Sequence, residues 1–151
     1  MKKLFEESIF TRNVLVGLLD AYTHNQLIHI PAEFNNSIFW NIAHLMVTPQ
    51  LLCYRRSGLD IEIDEKYVKR YGKGSKPSDD ISVNDVNYVR EHLNKSVLKI
   101  KSDYEKGRFQ KYEAYMTSTG IELTCIEDAL RFSAFHDGIH LGIILSLKKL
   151  V

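Results

Sequence analysis

Residues 129–147 read ALRFSAFHDGIHLGIILSL, a long apolar run that is predicted to form the last helix of the chain. His136 and His140 are four residues apart, so on an α-helix they lie about 40° from each other, one turn along the axis. The other residues on that face are mostly apolar: Ala129, Phe132, Ser133, Ile143 and Leu147. Two polar rings on an apolar face are costly to bury unless something binds them. The pair therefore consists either of hydrogen-bonded core histidines or of two ligands to one metal ion.

The bulk composition is that of an ordinary globular domain. The chain has 151 residues, of which 44% are hydrophobic and 26% are charged. This length suits one domain with a sizeable core and is short for two, so we expect a single domain over residues 1–151. The net charge is +1 and there is no basic block, which argues against a nucleic-acid partner or an anionic membrane.

The cysteines and the N-terminal residues indicate a cytoplasmic location. Cys53 and Cys125 are far apart and form no C-x-x-C pair, which argues against a disulfide scaffold or a zinc ribbon. Residues 1–8, MKKLFEES, place two acidic residues where a signal peptide needs its apolar segment. No uninterrupted apolar run has the length of a membrane span.

Three further segments have the apolar periodicity of amphipathic helices. They are predicted at residues 3–23, at about 37–57, and from a capping box at Ser82–Asp85 through Tyr104. The last helix is predicted to start at a capping box at Thr124–Glu127 and to run to about residue 149. Four long helices in one chain, without a repeat or a linker, predict an all-α four-helix bundle.

Proline and glycine interrupt the pattern of long helices in two places, and a short helix is predicted between them. Pro49 falls inside the second helix, where it removes the hydrogen bond to the Leu45 carbonyl, so we expect a kink or break just after His44. Residues 64–71 are predicted to form a short helix, and Gly72-Lys73-Gly74-Ser75-Lys76-Pro77 a solvated surface loop.

Between Gly107 and Leu123 the period changes, which predicts a short extended or hairpin segment before the last helix.

The last helix also carries a stripe of small residues. Ala134, Gly138, Gly142 and Ser146 recur every four residues, roughly opposite the two histidines. Each interior glycine costs about 1 kcal/mol of helix stability relative to alanine. A helix that accepts this cost twice is expected to let another helix approach closely. We therefore predict a homodimer that is built partly on this face.

A third histidine extends the metal hypothesis. His44 is predicted to lie on the inner face of the second helix, together with Trp40, Val47 and Leu51. In a bundle that face can meet the His136/His140 face of the last helix. Three neutral imidazoles without a thiolate are the donor set of a catalytic site for zinc or a similar divalent ion, with one coordination position left open.

Residues 37–45, SIFWNIAHL, together with residues 136–142, HDGIHLG, resemble the DinB-like (YfiT-type) family of metalloenzymes. The resemblance extends over essentially the whole chain. It implies a four-helix bundle, often dimeric, with a divalent metal ion such as zinc or nickel held by His44, His136 and His140. Characterised relatives include S-transferases and isomerases that use low-molecular-weight thiols, and many members have no known activity.

Three functions stay open at this point. The first is an enzyme that acts on a small-molecule substrate. Its open His₃ site activates a water or a low-molecular-weight thiol for transfer or hydrolysis. The second is a non-catalytic dimeric bundle, in which the metal is structural or absent.

The third is a peptidase-like hydrolase with Asp137 as general base, by analogy with the glutamate of H-E-x-x-H sites. Aspartate is one methylene shorter, so a supporting or solvated carboxylate explains Asp137 equally well. Trp40, one turn before His44, is a candidate to line the substrate pocket, although an aromatic residue there is more often plain core.

Overall fold

A computed structural model describes residues 1–78 and 80–151 of the chain. In these residues the elements are α1 (Lys2–Ala21), α2 (His24–Ile28), α3 (Ile38–Pro49), α4 (Glu65–Tyr71), α5 (Val83–Glu105), β1 (Tyr115–Met116), β2 (Glu122–Leu123) and α6 (Ile126–Leu147). The long helices α1, α3, α5 and α6 pack against one another as a bundle, and β1 pairs antiparallel with β2. The predicted all-α bundle with a short hairpin before the last helix is confirmed.

The helix α5 begins at the predicted capping box. The Ser82 side chain accepts a hydrogen bond from the Asp85 backbone N–H, and the Asp85 carboxylate accepts one from the Ser82 backbone N–H at 2.9 Å. The two bonds satisfy donors that a helix N-terminus would otherwise leave unpaired.

The predicted Thr124–Glu127 box at the start of α6 is wrong by one residue. Thr124 donates through its backbone N–H, at 3.0 Å, and through its hydroxyl, at 2.9 Å, to Asp128 Oδ2. Glu127 instead accepts a hydrogen bond of 2.9 Å from the Tyr104 hydroxyl of α5. The Glu127 carboxylate, which the local pattern assigns to the helix cap, therefore forms part of the contact between α5 and α6.

The helix α3 continues without a break to Pro49, so the predicted break just after His44 is wrong. Apart from Thr48, every residue of α3 is buried, and this packing holds the helix together although Pro49 contributes no N–H. The irregularity follows the proline: a π-helical turn at Gln50–Tyr54 and a 3₁₀ turn at Arg55–Ser57 continue the chain to Gly58, which has a φ of +69°. A wider turn shifts the hydrogen bonds, so that the Arg55 N–H reaches the Gln50 carbonyl.

The main core surrounds α3 at the centre of the bundle. Leu15, Leu45, Leu93 and Ile144, one from each long helix, are fully buried there. A second apolar cluster lies beneath the hairpin and includes Leu123. Within the described residues, no helix combines the length and the apolar character that a membrane span requires.

The small-residue stripe of α6 lies on the surface of the bundle. Gly138, Gly142 and Ser146 are exposed, and a Cβ atom built on either glycine would meet nothing within 4 Å apart from its chain neighbours and the backbone of its own helix. Beside them Phe135 is 52% exposed and Leu145 is 41% exposed. The close approach that the stripe predicts is therefore not made by a helix of the same bundle.

Candidate metal centre

The three predicted histidines meet between α3 and α6. His136 Nε2 lies 3.3 Å from His44 Nε2 and 3.2 Å from His140 Nε2. Tetrahedral zinc with Zn–N bonds of about 2.0–2.1 Å places two ligand nitrogens about 3.3 Å apart. The separations therefore match the donor spacing of a bound divalent ion.

Two of the rings are oriented by hydrogen bonds at their other nitrogen. His44 Nδ1 lies 2.6 Å from the Tyr71 carbonyl oxygen, and His140 Nδ1 lies 2.7 Å from Asn41 Oδ1. The Asn41 amide is itself oriented, because its Nδ2 donates to the Ser37 carbonyl at 2.8 Å. Carbonyl oxygens only accept, so both Nδ1 atoms carry the hydrogen and both Nε2 atoms present a lone pair. Metal-ligating histidines are typically oriented in this way.

A purely hydrogen-bonded cluster satisfies these rings less well than a metal ion does. Since His44 and His140 place their hydrogens on Nδ1, only His136 can supply one between the Nε2 atoms. One linear N–H cannot serve both neighbouring nitrogens at once, so in a hydrogen-bonded cluster one of the two Nε2 lone pairs is left without this donor. A cation at the centre of the three Nε2 atoms accepts every lone pair, so the donor set fits a divalent metal.

Burial keeps the three rings neutral at physiological pH. It lowers the pKa of His136 to about 3, with the neighbouring His140, His44 and Arg12 adding to the effect. Burial, and then His44, lowers the pKa of His140 to about 4. Burial also lowers the pKa of His44, against the opposing effect of the Tyr71 carbonyl. Neutral imidazole is the form that binds metals, so protons do not compete for the site near pH 7.

The histidines form the floor of an open cavity of about 400 Å³. The cavity has an apolar wall, a hydroxyl-bearing part and a cationic part. Its lining residues are His44, Thr48, Leu51, Leu52, Arg55, Arg56, Lys73, Tyr115, Thr117, Ser118, Phe132, His136 and His140. A concave, mostly apolar site with a few convergent polar groups is the usual form of a small-molecule site.

Asp137 and Trp40 lie outside this lining. Asp137, only 3% exposed, forms an ion pair of 2.9 Å with Arg12 of α1. A helix turns about 100° per residue, so Asp137 faces α1 while His136 faces α3. Trp40 is buried and stacks on the His44 ring, with centroids 4.9 Å apart and an interplanar angle of 12°. The geometry therefore gives no support to Asp137 as a base, and places Trp40 behind a ligand ring.

Neither cysteine joins the three histidines. Cys53 is fully buried in the apolar cluster beneath the hairpin, and burial raises the pKa of its thiol to about 12. Among the described residues, the group of His, Cys, Asp and Glu side chains close enough to hold a metal ion consists of His44, His136 and His140. This agrees with the expectation that no thiolate completes the site.

Sequence reasoning did not find three groups around the histidines. Asn41 lies three residues before His44 on the same helix, a spacing that could have indicated a polar group close to the histidines. Thr48 lies one turn after His44; its hydroxyl donates to the His44 carbonyl at 2.9 Å and is 3.3 Å from His44 Nε2. The Tyr71 carbonyl comes from α4, and a backbone group carries no sequence signal.

The fold and the site together define a helical bundle with a His₃ metal-binding arrangement at one cavity. The family model of the DinB superfamily matches residues 9–144, a range that includes the three histidines. The chain belongs to the DinB superfamily. No match to a curated protein was found.

Proposed function

We propose that the protein is a metal-dependent enzyme in which His44, His136 and His140 hold a divalent ion, zinc or nickel, at the cavity floor. The observation that carries the proposal is the convergence of three neutral Nε2 donors on an open cavity. With three protein ligands, a tetrahedral ion keeps one position for an exchangeable ligand. Such an ion lowers the pKa of a water or thiol at that position and supplies a nucleophile at neutral pH. The reaction class is therefore transfer or hydrolysis, with a low-molecular-weight thiol as one candidate cosubstrate.

The surrounding residues have distinct tasks in this proposal. The Tyr71 carbonyl and the Asn41 amide keep two ligand rings in the correct tautomer. The Thr48 hydroxyl donates its hydrogen to the His44 carbonyl, so its oxygen can accept a hydrogen bond from a ligand group beside the His44 ring. Leu51 and Phe132 line the cavity and offer contact to an apolar part of the substrate. Both cysteines are free, which suits a cytoplasmic protein.

The first test is elemental analysis of protein purified without a metal-binding tag. We expect about one zinc or nickel ion per chain, since three ligands make one site. The His140→Ala variant is expected to hold none, and His29→Ala, which replaces an exposed histidine, is expected to keep the ion. Absence of metal from the wild type, together with failure to bind it on titration, would contradict the proposal.

A cobalt-substituted sample then separates the enzyme from a structural metal site. The visible spectrum of Co²⁺ depends on its ligands, so an open position predicts a spectral change when 2-mercaptoethanol is added. A spectrum that excess thiol does not change would favour the alternative, a non-catalytic bundle with a closed metal site.

We also propose that a second copy of the chain covers the exposed face of α6. No contact within the described residues requires glycine at positions 138 and 142, because a Cβ atom at either has open space around it. Phe135, Ile139 and Leu145 are exposed on the same side of this helix, where burial against an identical helix would remove apolar surface from water.

Sedimentation equilibrium at micromolar concentration tests this arrangement. The wild type is expected to have twice the chain mass, and Gly142→Arg is expected to have the chain mass. Gly17→Arg on α1 is the matched control, because its Cβ also has open space. A monomeric wild type would exclude the dimer and leave the metal proposal unaffected.

A further inference from the structure

Three cationic side chains line the same cavity as the histidines. Arg55 and Arg56 follow α3 in the 3₁₀ turn, and Lys73 belongs to the loop after α4. Among residues 1–78 and 80–151, no carboxylate lines this cavity. Like charges along one concave surface raise the local concentration of ligands of opposite sign.

The cations differ in how far protein carboxylates already engage them. Arg55 donates to both carboxylate oxygens of Glu65, at 2.7 and 2.9 Å, so this guanidinium is largely occupied. Arg56 has a single contact of 3.1 Å with Glu113, whose side chain is 74% exposed. Lys73 is exposed and makes no ion pair within the described residues. Arg56 and Lys73 therefore keep donors for a ligand.

Arg56 is also held in position over the cavity. Its guanidinium lies 4.5 Å from the centroid of the Tyr115 ring, which lines the same cavity. An aromatic contact of this kind orders a flexible side chain and leaves the edge of the guanidinium free to donate. The exposed Ser118, next to Thr117 in the hairpin turn, adds a hydroxyl to this part of the lining.

Surface lysines and arginines are commonly solvated without any further role. Here the cations border a cavity that has an apolar wall and three converging histidine nitrogens at its floor. A ligand that extends from the histidines to the cationic side thus meets charges of one sign. Guanidinium and ammonium groups in this setting select oxyanions, that is, carboxylates or phosphates.

We propose that Arg56 and Lys73 bind an oxyanion group of the substrate or cosubstrate, with its reacting end at the three histidines. The position of the reacting end rests on the proposed metal-dependent function. The oxyanion site itself depends only on the cavity and its cations.

The experiment is an NMR titration of ¹⁵N-labelled protein with three small probes. Succinate carries carboxylates, methyl phosphate carries a phosphate, and succinamide is the neutral analogue of succinate. We expect shift changes around residues 55, 56 and 73 with succinate or methyl phosphate, and none with succinamide. The stronger of the two anions identifies the group. Binding is expected to weaken as salt is raised, because the contacts are partly exposed ion pairs.

Variants locate the site within the cavity. Arg56→Gln and Lys73→Gln are each expected to weaken anion binding about fivefold, as for partly exposed charge-assisted contacts. Lys69→Gln, an exposed lysine of α4 outside the cavity lining, is the matched control and is expected to bind like the wild type. Equal weakening in all three variants would show a general charge effect and overturn the site.

A metal-free His140→Ala sample distinguishes this inference from the proposed function. Anion binding that persists there, and still weakens with Lys73→Gln, supports an oxyanion site at the cations. Anion binding that disappears with the metal, and is unchanged in Lys73→Gln, assigns the anion to the metal ion and overturns the inference. A wild type that binds no metal but binds succinate through Lys73 would leave the oxyanion site standing and reject the metal-dependent function.

Discussion

Two polar clusters of the bundle include successive residues of α6, His136 in one and Asp137 in the other. The clusters differ in the groups that their polar atoms contact. Asp137 faces α1, where its carboxylate forms a 2.9 Å ion pair with Arg12 in a site with hardly any solvent access. His136 faces α3, where its Nε2 lies near those of His44 and His140 at the floor of an open cavity. One cluster pairs opposite charges, and the other gathers neutral lone pairs.

The difference separates a cluster that is paired within the chain from the site that we propose to bind a metal ion. A buried ion pair contributes its attraction within the chain, and breaking it leaves an uncompensated charge. The Tyr71 carbonyl and the Asn41 amide orient His44 and His140 so that their Nε2 lone pairs point toward His136. A cation between the three nitrogens satisfies these lone pairs better than a hydrogen-bonded cluster does. The two clusters should therefore respond differently to substitution.

The largest expected effect is on metal binding in His136→Ala. His136 Nε2 is close to both other donors, so its loss removes one of three ligands. We expect the affinity for zinc to fall at least about a thousandfold, since metal binding at such sites amounts to about 10 kcal/mol or more in total. Competition against a chelator of known affinity measures the change. An affinity within tenfold of the wild type would show that His136 is not a ligand.

The Arg12–Asp137 pair is expected to affect stability instead. Arg12→Met leaves the Asp137 carboxylate buried without its partner, so we expect a loss of about 3–5 kcal/mol in the free energy of unfolding. The double variant Arg12→Met with Asp137→Leu removes both charges and is expected to recover most of that loss. Urea unfolding of metal-free protein measures both.

Metal content of the same two variants completes the comparison. We expect folded Arg12→Met and the double variant to bind one ion each, because the pair lies outside the cavity lining. A double variant that retains the metal yet loses all hydrolytic activity would instead support Asp137 as a base.

A smaller effect is expected from the residue that orients His140. Asn41→Ala removes the acceptor at 2.7 Å from His140 Nδ1 and leaves the three ligands in place. We expect the zinc affinity to fall about 10–100-fold, the usual range for such supporting groups. Asn94→Ala, which removes a hydrogen bond to Asn13 between α5 and α1, is the matched control and should not change the affinity.

The same histidines also predict a pH dependence of stability in metal-free protein. In the unfolded chain the histidines bind protons near pH 6.5. In the folded protein the pKa of His136 is lowered to about 3 and the pKa of His140 to about 4, so both bind protons only at lower pH. The unfolded state thus binds more protons between these values, so stability is fully present above pH 6.5 and falls as the pH drops toward 4. Each delayed proton changes the free energy of unfolding by about 1.4 kcal/mol per pH unit.

Thermal unfolding from pH 7 to 4.5 measures this slope. The His136→Leu variant has one delayed proton fewer and is expected to lose stability less steeply. Equal slopes in the two proteins would show that the lowered pKa of His136 does not contribute to acid unfolding.

The sequence alone determined the helical bundle and the common face of His136 and His140, because both depend on periodicity. Apolar residues at three- and four-residue steps define which faces are buried, and the i, i+4 spacing of His136 and His140 places both rings on one such face whatever the rest of the chain does. Local capping chemistry was equally readable at Ser82 and Asp85, where the two partners are close in sequence.

Only the tertiary structure decided which partners bind the polar side chains that are neighbours in the sequence. Asp137 is paired by Arg12, 125 residues away, and Glu127 is taken from its predicted cap by Tyr104 of another helix. The cations at the cavity come from two connections that no periodicity relates to the histidines. Contacts of this kind depend on how whole helices dock, so the pattern along one helix carries no information about them.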